Sequence, residues 1–278
     1  MKVIRAKRAG ACYGVQRALD MALQTANDKG GASTLGPLIH NPHVVSELAR
    51  RGIRAIDAPS EAKAGTIIIR SHGVTPQVRR AIESRGLPIV DATCPHVARA
   101  QKAAARLARS CGQVVVVGEA GHPEVEGLVA YATEAGGRVI VAASADDVPA
   151  SLEGKVGVVV QTTQTREALS DVLSALEQRS VEVEVKDTVC LATRERQESA
   201  ADLAGTVDAM VVIGGRNSSN TTRLAEICAA VCKSTYHIES VEELERTWFG
   251  ECETVGITAG ASTPEDQIAE VEHLLESW

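Results

Sequence analysis

The sequence predicts an α/β protein built from three pseudo-symmetric units. Two features point to the class: short β-branched runs alternate with helical stretches, and a cysteine-led segment recurs along the chain. The runs Thr66–Arg70, Leu87–Asp91, Val114–Val117, Arg138–Val141, Val156–Val160, Ala209–Ile213 and Thr254–Thr258 are too short for helices. Gly, Pro or polar residues bound each of them, so they read as buried strands. The stretches rich in Ala, Leu, Arg and Glu at 95–109, 165–178, 194–204 and 264–277 read as the helices between them. Alternation of this kind gives mostly parallel sheets, because a parallel pair needs a crossover that a helix supplies.

Sliding the chain against itself exposes the repeat. At a shift of 82, Cys12, Val15, Arg17 and Ala18 fall on Cys94, Val97, Arg99 and Ala100, Gly36 meets Gly118 and His40 meets His122. At a shift of 96, Cys94 falls on Cys190, Gln101 on Gln197, Gly118 on Gly214 and Leu128 on Leu224. Three units follow, at residues 13–94, 95–189 and 190–278, the last completed by 1–12. Pseudo-threefold symmetry would bring Cys12, Cys94 and Cys190 to one central point.

Composition limits the function. With 44% hydrophobic and 23% charged residues, the 278-residue chain is neither disordered nor fibrous. Aromatics at 2% and a net charge of −7 speak against a nucleic-acid groove, although a local site can still take a small anion. No apolar h-region follows the basic start MKVIRAKRAG and no stretch approaches a membrane span, so the reading is cytoplasmic.

The seven cysteines are odd in number, scattered and without a CxxC pair. Three equivalent thiols at helix starts suit an iron–sulfur cluster, since the helix N-terminus favours the thiolate that iron needs. Three ligands on a cubane leave one iron open for substrate. Cys111, Cys228, Cys232 and Cys252 fall outside the repeat position and read as packing residues. Polar groups cluster just beyond strand ends: Leu38-Ile-His40-Asn41, Arg70-Ser-His72-Gly73, Gly121-His122-Pro123-Glu124, Gln161-Thr162-Thr163-Gln164, Asn217-Ser218-Ser219-Asn220 and Ala259-Gly260-Ala261-Ser262. Ligands of open α/β sheets bind at such ends, and a lining of imidazoles, hydroxyls and amides suits phosphate oxygens. Glu124 reads as a proton donor whose acidity burial would weaken.

These residues resemble one family, the LytB-type 4-hydroxy-3-methylbut-2-enyl diphosphate reductases. The resemblance runs from Cys12 to Ser262 and rests on Cys12-x-Gly-Val, Ser71-His-Gly-Val, Asp91-Ala-Thr-Cys94-Pro, Gly121-His-Pro-Glu-Val-Glu-Gly127, Gln161-Thr-Thr163, Cys190-x-Ala-Thr, Asn217-Ser-Ser-Asn220 and Thr258-Ala-Gly-Ala-Ser262. It implies one 4Fe-4S cluster held at the centre of the three units by Cys12, Cys94 and Cys190. It also implies diphosphate contacts at His40, His72, His122, Ser218, Ser219, Asn220 and Ser262, proton delivery by Glu124, and substrate-hydroxyl handling by Thr162 and Thr163. The implied reaction is reductive dehydroxylation of the allylic diphosphate to isopentenyl and dimethylallyl diphosphates. With no flavin or nicotinamide fingerprint in the chain, electrons are expected from a ferredoxin or flavodoxin. Asn220 is followed by Thr221-Thr222-Arg223 where family members commonly carry Ser-Asn-Arg, a departure that bears on tuning rather than on the ligands. Two other classes fit parts of the pattern. A zinc hydrolase using His40, His72 and His122 lacks any HExxH support, and an iron–sulfur sensor lacks a DNA-binding signature.

Overall fold

The computed structural model describes residues 1–62, 65–152 and 154–278. In chain order the elements are β1 (Lys2–Arg5), α1 (Tyr13–Lys29), β2 (Ala32–Leu35), α2 (Pro42–Arg50), β3 (Ile53–Ile56), β4 (Thr66–Ile69), α3 (Pro76–Glu83), β5 (Ile89–Asp91), α4 (Pro95–Cys111), β6 (Gln113–Val117) and α5 (Pro123–Glu134). They continue with β7 (Arg138–Ala142), β8 (Lys155–Val160), α6 (Arg166–Gln178), β9 (Glu182–Lys186), α7 (Leu191–Ala204), β10 (Ala209–Ile213), α8 (Ser219–Val231), β11 (Thr235–Ile238), β12 (Thr254–Ala259) and α9 (Glu265–Glu276).

Local chemistry sets the helix ends. Pro95 and Pro123 occupy first-turn positions where no backbone donor is missed. Side chains of Thr75, Thr165 and Ser218 cap α3, α6 and α8 by accepting from Val78, Ala168 and Thr221 N–H groups. Gly112, at φ +72°, stops α4 in the left-handed conformation.

The strands form three four-stranded sheets, ordered β3-β2-β4-β5, β7-β6-β8-β9 and β1-β12-β10-β11, and every pairing is parallel. Read from its other edge, the third sheet has the order β11-β10-β12-β1, so β1 takes the place that β5 and β9 hold in the other two. The predicted fold class, three pseudo-symmetric α/β units, is the fold observed. Central strands are apolar throughout, as burial on both faces demands: Val114–Val117, Val158–Val160 and Ala209–Ile213 have no solvent exposure.

By packing, the chain divides into two compact units. Met1–Gln16, Ile39–Ser46 and Leu191–Trp278 form one, which holds the sheet containing β1; Arg17–Leu38 and Glu47–Cys190 form the other, which holds the other two sheets. In the smaller unit the core includes Val211, Ile213, Val255, Ile257 and Ile268, against which the ring of Phe249 packs. In the larger unit the β6–β9 sheet buries Val115, Val117, Val156 and Val158 under Val172 and Leu176 of α6. Its opposite face buries Val114 and Val116 under Ala104 and Leu107 of α4 and Leu128 of α5.

Candidate active site

The repeat is visible atom by atom at the strand ends. Gly36, Gly118 and Gly214 follow β2, β6 and β10, and each donates its N–H to the last carbonyl of the neighbouring strand: Ile56 at 2.8 Å, Ala142 at 3.0 Å and Ile238 at 2.9 Å. After β4, β8 and β12 the chain makes the same turn three times. Gly73, Gln164 and Thr263 donate to Arg70, Gln161 and Gly260 at 2.9, 3.1 and 3.1 Å.

Inside each turn one carbonyl is left for a cysteine. Cys94 N–H donates to Ser71 at 2.9 Å, Cys190 N–H to Thr162 at 3.1 Å, and Cys12 N–H to Ala261 at 3.1 Å. The acceptor is in every case the second residue past its strand. An aspartate three residues upstream shapes two of the approaches: Asp91 accepts from Thr93 N–H at 3.0 Å and Asp187 accepts from Val189 N–H at 3.1 Å. Arg17 adds a bond to the Thr93 carbonyl at 3.2 Å. All three side chains are outside any disulfide and partly exposed, whereas Cys228 and Cys232 are buried in the core of the smaller unit.

The larger unit carries His72, His122, Glu124, Thr162 and Thr163. His122 caps α5, its Nδ1 accepting from Glu124 N–H at 3.1 Å. The His72 and His122 rings meet edge to face with centroids 5.7 Å apart. Burial lowers the His122 pKa, Arg70 adding to the effect and Glu119 opposing it. Glu124 is 2% exposed. Its two carboxylate oxygens both accept from Thr162, Oε1 from the N–H at 2.7 Å and Oε2 from the hydroxyl at 2.8 Å. Burial pushes the carboxyl up from 4.5 to about 7, against the pull of both Thr162 bonds. A carboxyl with a pKa of about 7 thus stands at hydrogen-bond distance from the Thr162 hydroxyl. Gln161, fully buried, accepts from Glu119 N–H and donates to Thr163 Oγ1, both at 3.0 Å.

The smaller unit carries His40, Ser218, Ser219, Asn220 and Ser262. Ser262 Oγ donates to the His40 carbonyl at 3.0 Å. Asn41 Nδ2 donates to the Ser262 carbonyl at 2.9 Å and to Gln267 Oε1 at 2.8 Å. Asn220 Oδ1 accepts from Ala261 N–H at 2.8 Å, while its buried Nδ2 has no hydrogen-bond partner among the described residues. A buried donor left unpaired in this way is open to a ligand oxygen. Glu124 and Asn220 stand 96 residues apart, the shift of the repeat, and do the same job: each accepts the N–H of the residue whose carbonyl holds a cysteine. Ser218 Oγ is the cap of α8, accepting from Thr221 N–H at 3.4 Å.

Gln161, Asn41 and Arg70 lie in strand-end segments that the sequence singles out, but it assigns them no role of their own. Gln161 and Asn41 orient their neighbours. Arg70 is largely buried, its Nε has no hydrogen-bond partner among the described residues, and burial lowers its pKa against the field of Glu126. The available signal was position, since each adjoins a candidate residue at a strand end.

Residues 3–276 match the family profile described as LytB protein. The chain belongs to the LytB family. Its relatives include the 4-hydroxy-3-methylbut-2-enyl diphosphate reductase of Trichlorobacter lovleyi, 47% identical over 277 residues, which cover 99% of this chain and 98% of the relative. The enzyme of the same name from Geotalea daltonii is 48% identical over 278 residues, with 100% and 98% covered. Among solved structures, "(E)-4-Hydroxy-3-methyl-but-2-enyl Diphosphate Reductase, the Terminal Enzyme of the Non-Mevalonate Pathway" superposes with a TM-score of 0.73 at 42% identity, covering all of both chains. The Plasmodium falciparum reductase, at 22% identity and a TM-score of 0.88 over 99% of this chain and 87% of that one, shares the LytB fold.

Proposed function

We propose that this LytB-family chain is a 4-hydroxy-3-methylbut-2-enyl diphosphate reductase, which removes the allylic hydroxyl with two electrons to give isopentenyl and dimethylallyl diphosphates and water. The observation that carries the reading is the Glu124–Thr162 pair, a buried acid near neutrality whose threonine also accepts the Cys190 N–H. The donor set fits a cluster: three partly exposed cysteines outside any disulfide, at repeat-equivalent helix starts, each backbone-anchored by the same bond. Cys12, Cys94 and Cys190 would hold a 4Fe-4S cluster with one iron free of protein ligands, which supplies the electrons and a Lewis-acid position. Glu124 gives its proton, by way of the Thr162 hydroxyl, to the departing oxygen. Gln161 orients Thr163 beside it. His72 and His122 in one unit, and His40, Ser218, Ser219, Asn220 and Ser262 in the other, are assigned to the diphosphate. The division into repeat units 13–94, 95–189 and 190–278 with 1–12 belongs to this reading, as do cytoplasmic residence and a ferredoxin or flavodoxin as donor. No helix among the described residues is long and apolar enough to cross a membrane.

Anaerobic purification with iron and sulfide analysis, then assay with a chemical reductant, tests the proposal. Cluster-loaded protein forming both five-carbon diphosphates is expected, with iron lost in Cys12→Ser, Cys94→Ser and Cys190→Ser but kept in Cys228→Ser. A reconstituted chain that binds zinc and no cluster would overturn it.

A further inference from the structure

Two of the three cysteine approaches are shaped by an aspartate three residues upstream, Asp91 or Asp187, but the same position before Cys12 is Ala9. A different side chain holds this approach. Arg196 of α7 is 5% exposed; its Nη2 donates to the Gly10 carbonyl at 2.8 Å and its Nη1 to the Ala192 carbonyl at 2.9 Å. One guanidinium thus ties the segment before Cys12 to the first turn of a helix, a reach that its planar fork allows. Ser199, further along α7, accepts from Arg8 N–H at 3.2 Å. Arg196, Gly10, Ala192 and Cys12 all belong to the smaller compact unit, where Arg196 and Cys12 line one cleft of about 270 Å³.

The repeat marks the arginine as an addition. At the shifts that superpose the cysteines, Arg196 falls on Ala100 and Ala18, neither of which has any solvent exposure. Burying a guanidinium where two units bury a methyl group costs desolvation, which its bonds must offset. The residue it holds is the one that most needs holding. Gly10 stands at φ +86°, a conformation that suits glycine alone, and a Cβ on it would lie 2.8 Å from Ile268 Cδ1. Its N–H donates to the Ala259 carbonyl at 3.2 Å, two residues before the Ala261 carbonyl that takes the Cys12 N–H. With N–H and carbonyl both bonded, the peptide planes on either side of Gly10 are fixed, and Cys12 follows two residues on. The device occurs once more, in Arg17 of α1, which bonds the Thr93 carbonyl directly before Cys94. In each case the helix that follows one cysteine supplies an arginine to the approach of another.

We propose that Arg196 is the positioning residue of Cys12: it fixes the segment from Gly10 to Cys12 for ligation and keeps a positive charge beside that ligand. The proposal rests on the assignment of Cys12 to the cluster.

The test uses the cluster-loaded protein and the variants Arg196→Met and Arg196→Lys. Ile238→Ala is the control for general loss of stability, because Ile238 is a buried core residue on β11, at the opposite edge of the sheet from β1. Arg196→Met is expected to release iron to a ferrous chelator about tenfold faster than the parent, the usual scale for losing a group that orients a metal ligand. Its cluster midpoint potential should fall, because a buried positive charge that favours the reduced cluster is gone. Arg196→Lys should keep the potential near the parent's and still release iron faster, since an ammonium cannot span both carbonyls. Ile238→Ala should lower the melting temperature with neither change. Parent-like iron release in both Arg196 variants would overturn the proposal, as would an equal acceleration in Ile238→Ala; if Arg196→Met fails to fold, Arg196→Lys against Ile238→Ala decides. A parent that takes up no cluster would remove the ligand assignment and the proposal together, whereas a cluster-loaded parent without turnover would count against the reductase reading alone.

Discussion

At Glu124, burial and hydrogen bonding pull in opposite directions. Loss of water favours the neutral acid, while the Thr162 N–H and hydroxyl favour the anion, and the balance lies at about 7. The stability consequence has a definite sign. Below the ordinary value of 4.5 the carboxyl is protonated in folded and unfolded chains alike, and between 4.5 and about 7 only the folded chain keeps the proton. The stability this side chain contributes is therefore full below 4.5 and lost as pH rises through 7. Glutamine has the same shape without the titration: its carbonyl can keep the Thr162 N–H, and its amide can donate to the Thr162 oxygen. Glu124→Gln is therefore expected to gain on the order of 3 kcal/mol relative to the parent between pH 4.5 and pH 8. Urea unfolding of both proteins at the two pH values measures it, and a gap that does not change with pH would remove the raised pKa. In the same variant turnover should fall by about 10² to 10⁴ while bound iron is retained.

The turns after β4, β8 and β12 place the candidate functional groups, and they are built tightly. Gly260 opens the turn that presents Ala261 to Cys12, and a methyl group there would fall on the hydroxyl of Thr221, which is fully buried. Gly73 closes the equivalent turn at φ +72°, with Gln101 Nε2 only 2.6 Å from where a Cβ would stand. Gly260→Ala is accordingly expected to cost about 1 to 3 kcal/mol through overpacking and to lower iron retention, because Ala261 shifts with it. Thermal unfolding and iron content report the two effects, and an unchanged melting temperature would show that Thr221 yields freely. How far these elements could be read from sequence follows from burial. The central strands β4, β6, β8, β10 and β12 are continuous apolar runs and are plain in the sequence. β9, written Glu-Val-Glu-Val-Lys, and β3, written Ile-Arg-Ala-Ile, are edge strands with one side partly wet, so their patterns alternate and carry less signal. β2, Ala-Ser-Thr-Leu, lies inside its sheet but carries no β-branched run, because Thr34 is its one β-branched residue and Ala32 and Ser33 add little apolar signal. In the candidate site, motif spacing singled out Glu124 and the three cysteines as candidates, but not the carbonyls of Ser71, Thr162 and Ala261, since any residue type supplies a carbonyl.

The chain closes on itself through its first strand. β1 pairs in parallel along β12, from Lys2 opposite Thr254 to Arg5 opposite Ile257, so the last sheet is completed by residues made first. Val3 packs into the cluster with Val255 and Ile257, and Ile4 packs into the one with Leu203 and Met210, so the strand seals both faces of its sheet. Without it β12 would present a row of unpaired backbone groups over an apolar core, the arrangement that recruits another chain. The pairing is also non-local, joining residues some 250 positions apart, and such contacts form late because loop closure must precede them. Removal of residues 2–5 is therefore expected to lower the melting temperature by several degrees, at about 2–4 °C per kcal/mol for a chain of this size. It should also shift the protein toward oligomers in light scattering. Iron retention should fall as well, because Cys12 lies seven residues beyond the strand and its N–H depends on Ala261 just past β12. A monomeric truncated chain with the parent's melting temperature would mean that β12 tolerates a bare edge and that the first strand serves only to deliver Cys12.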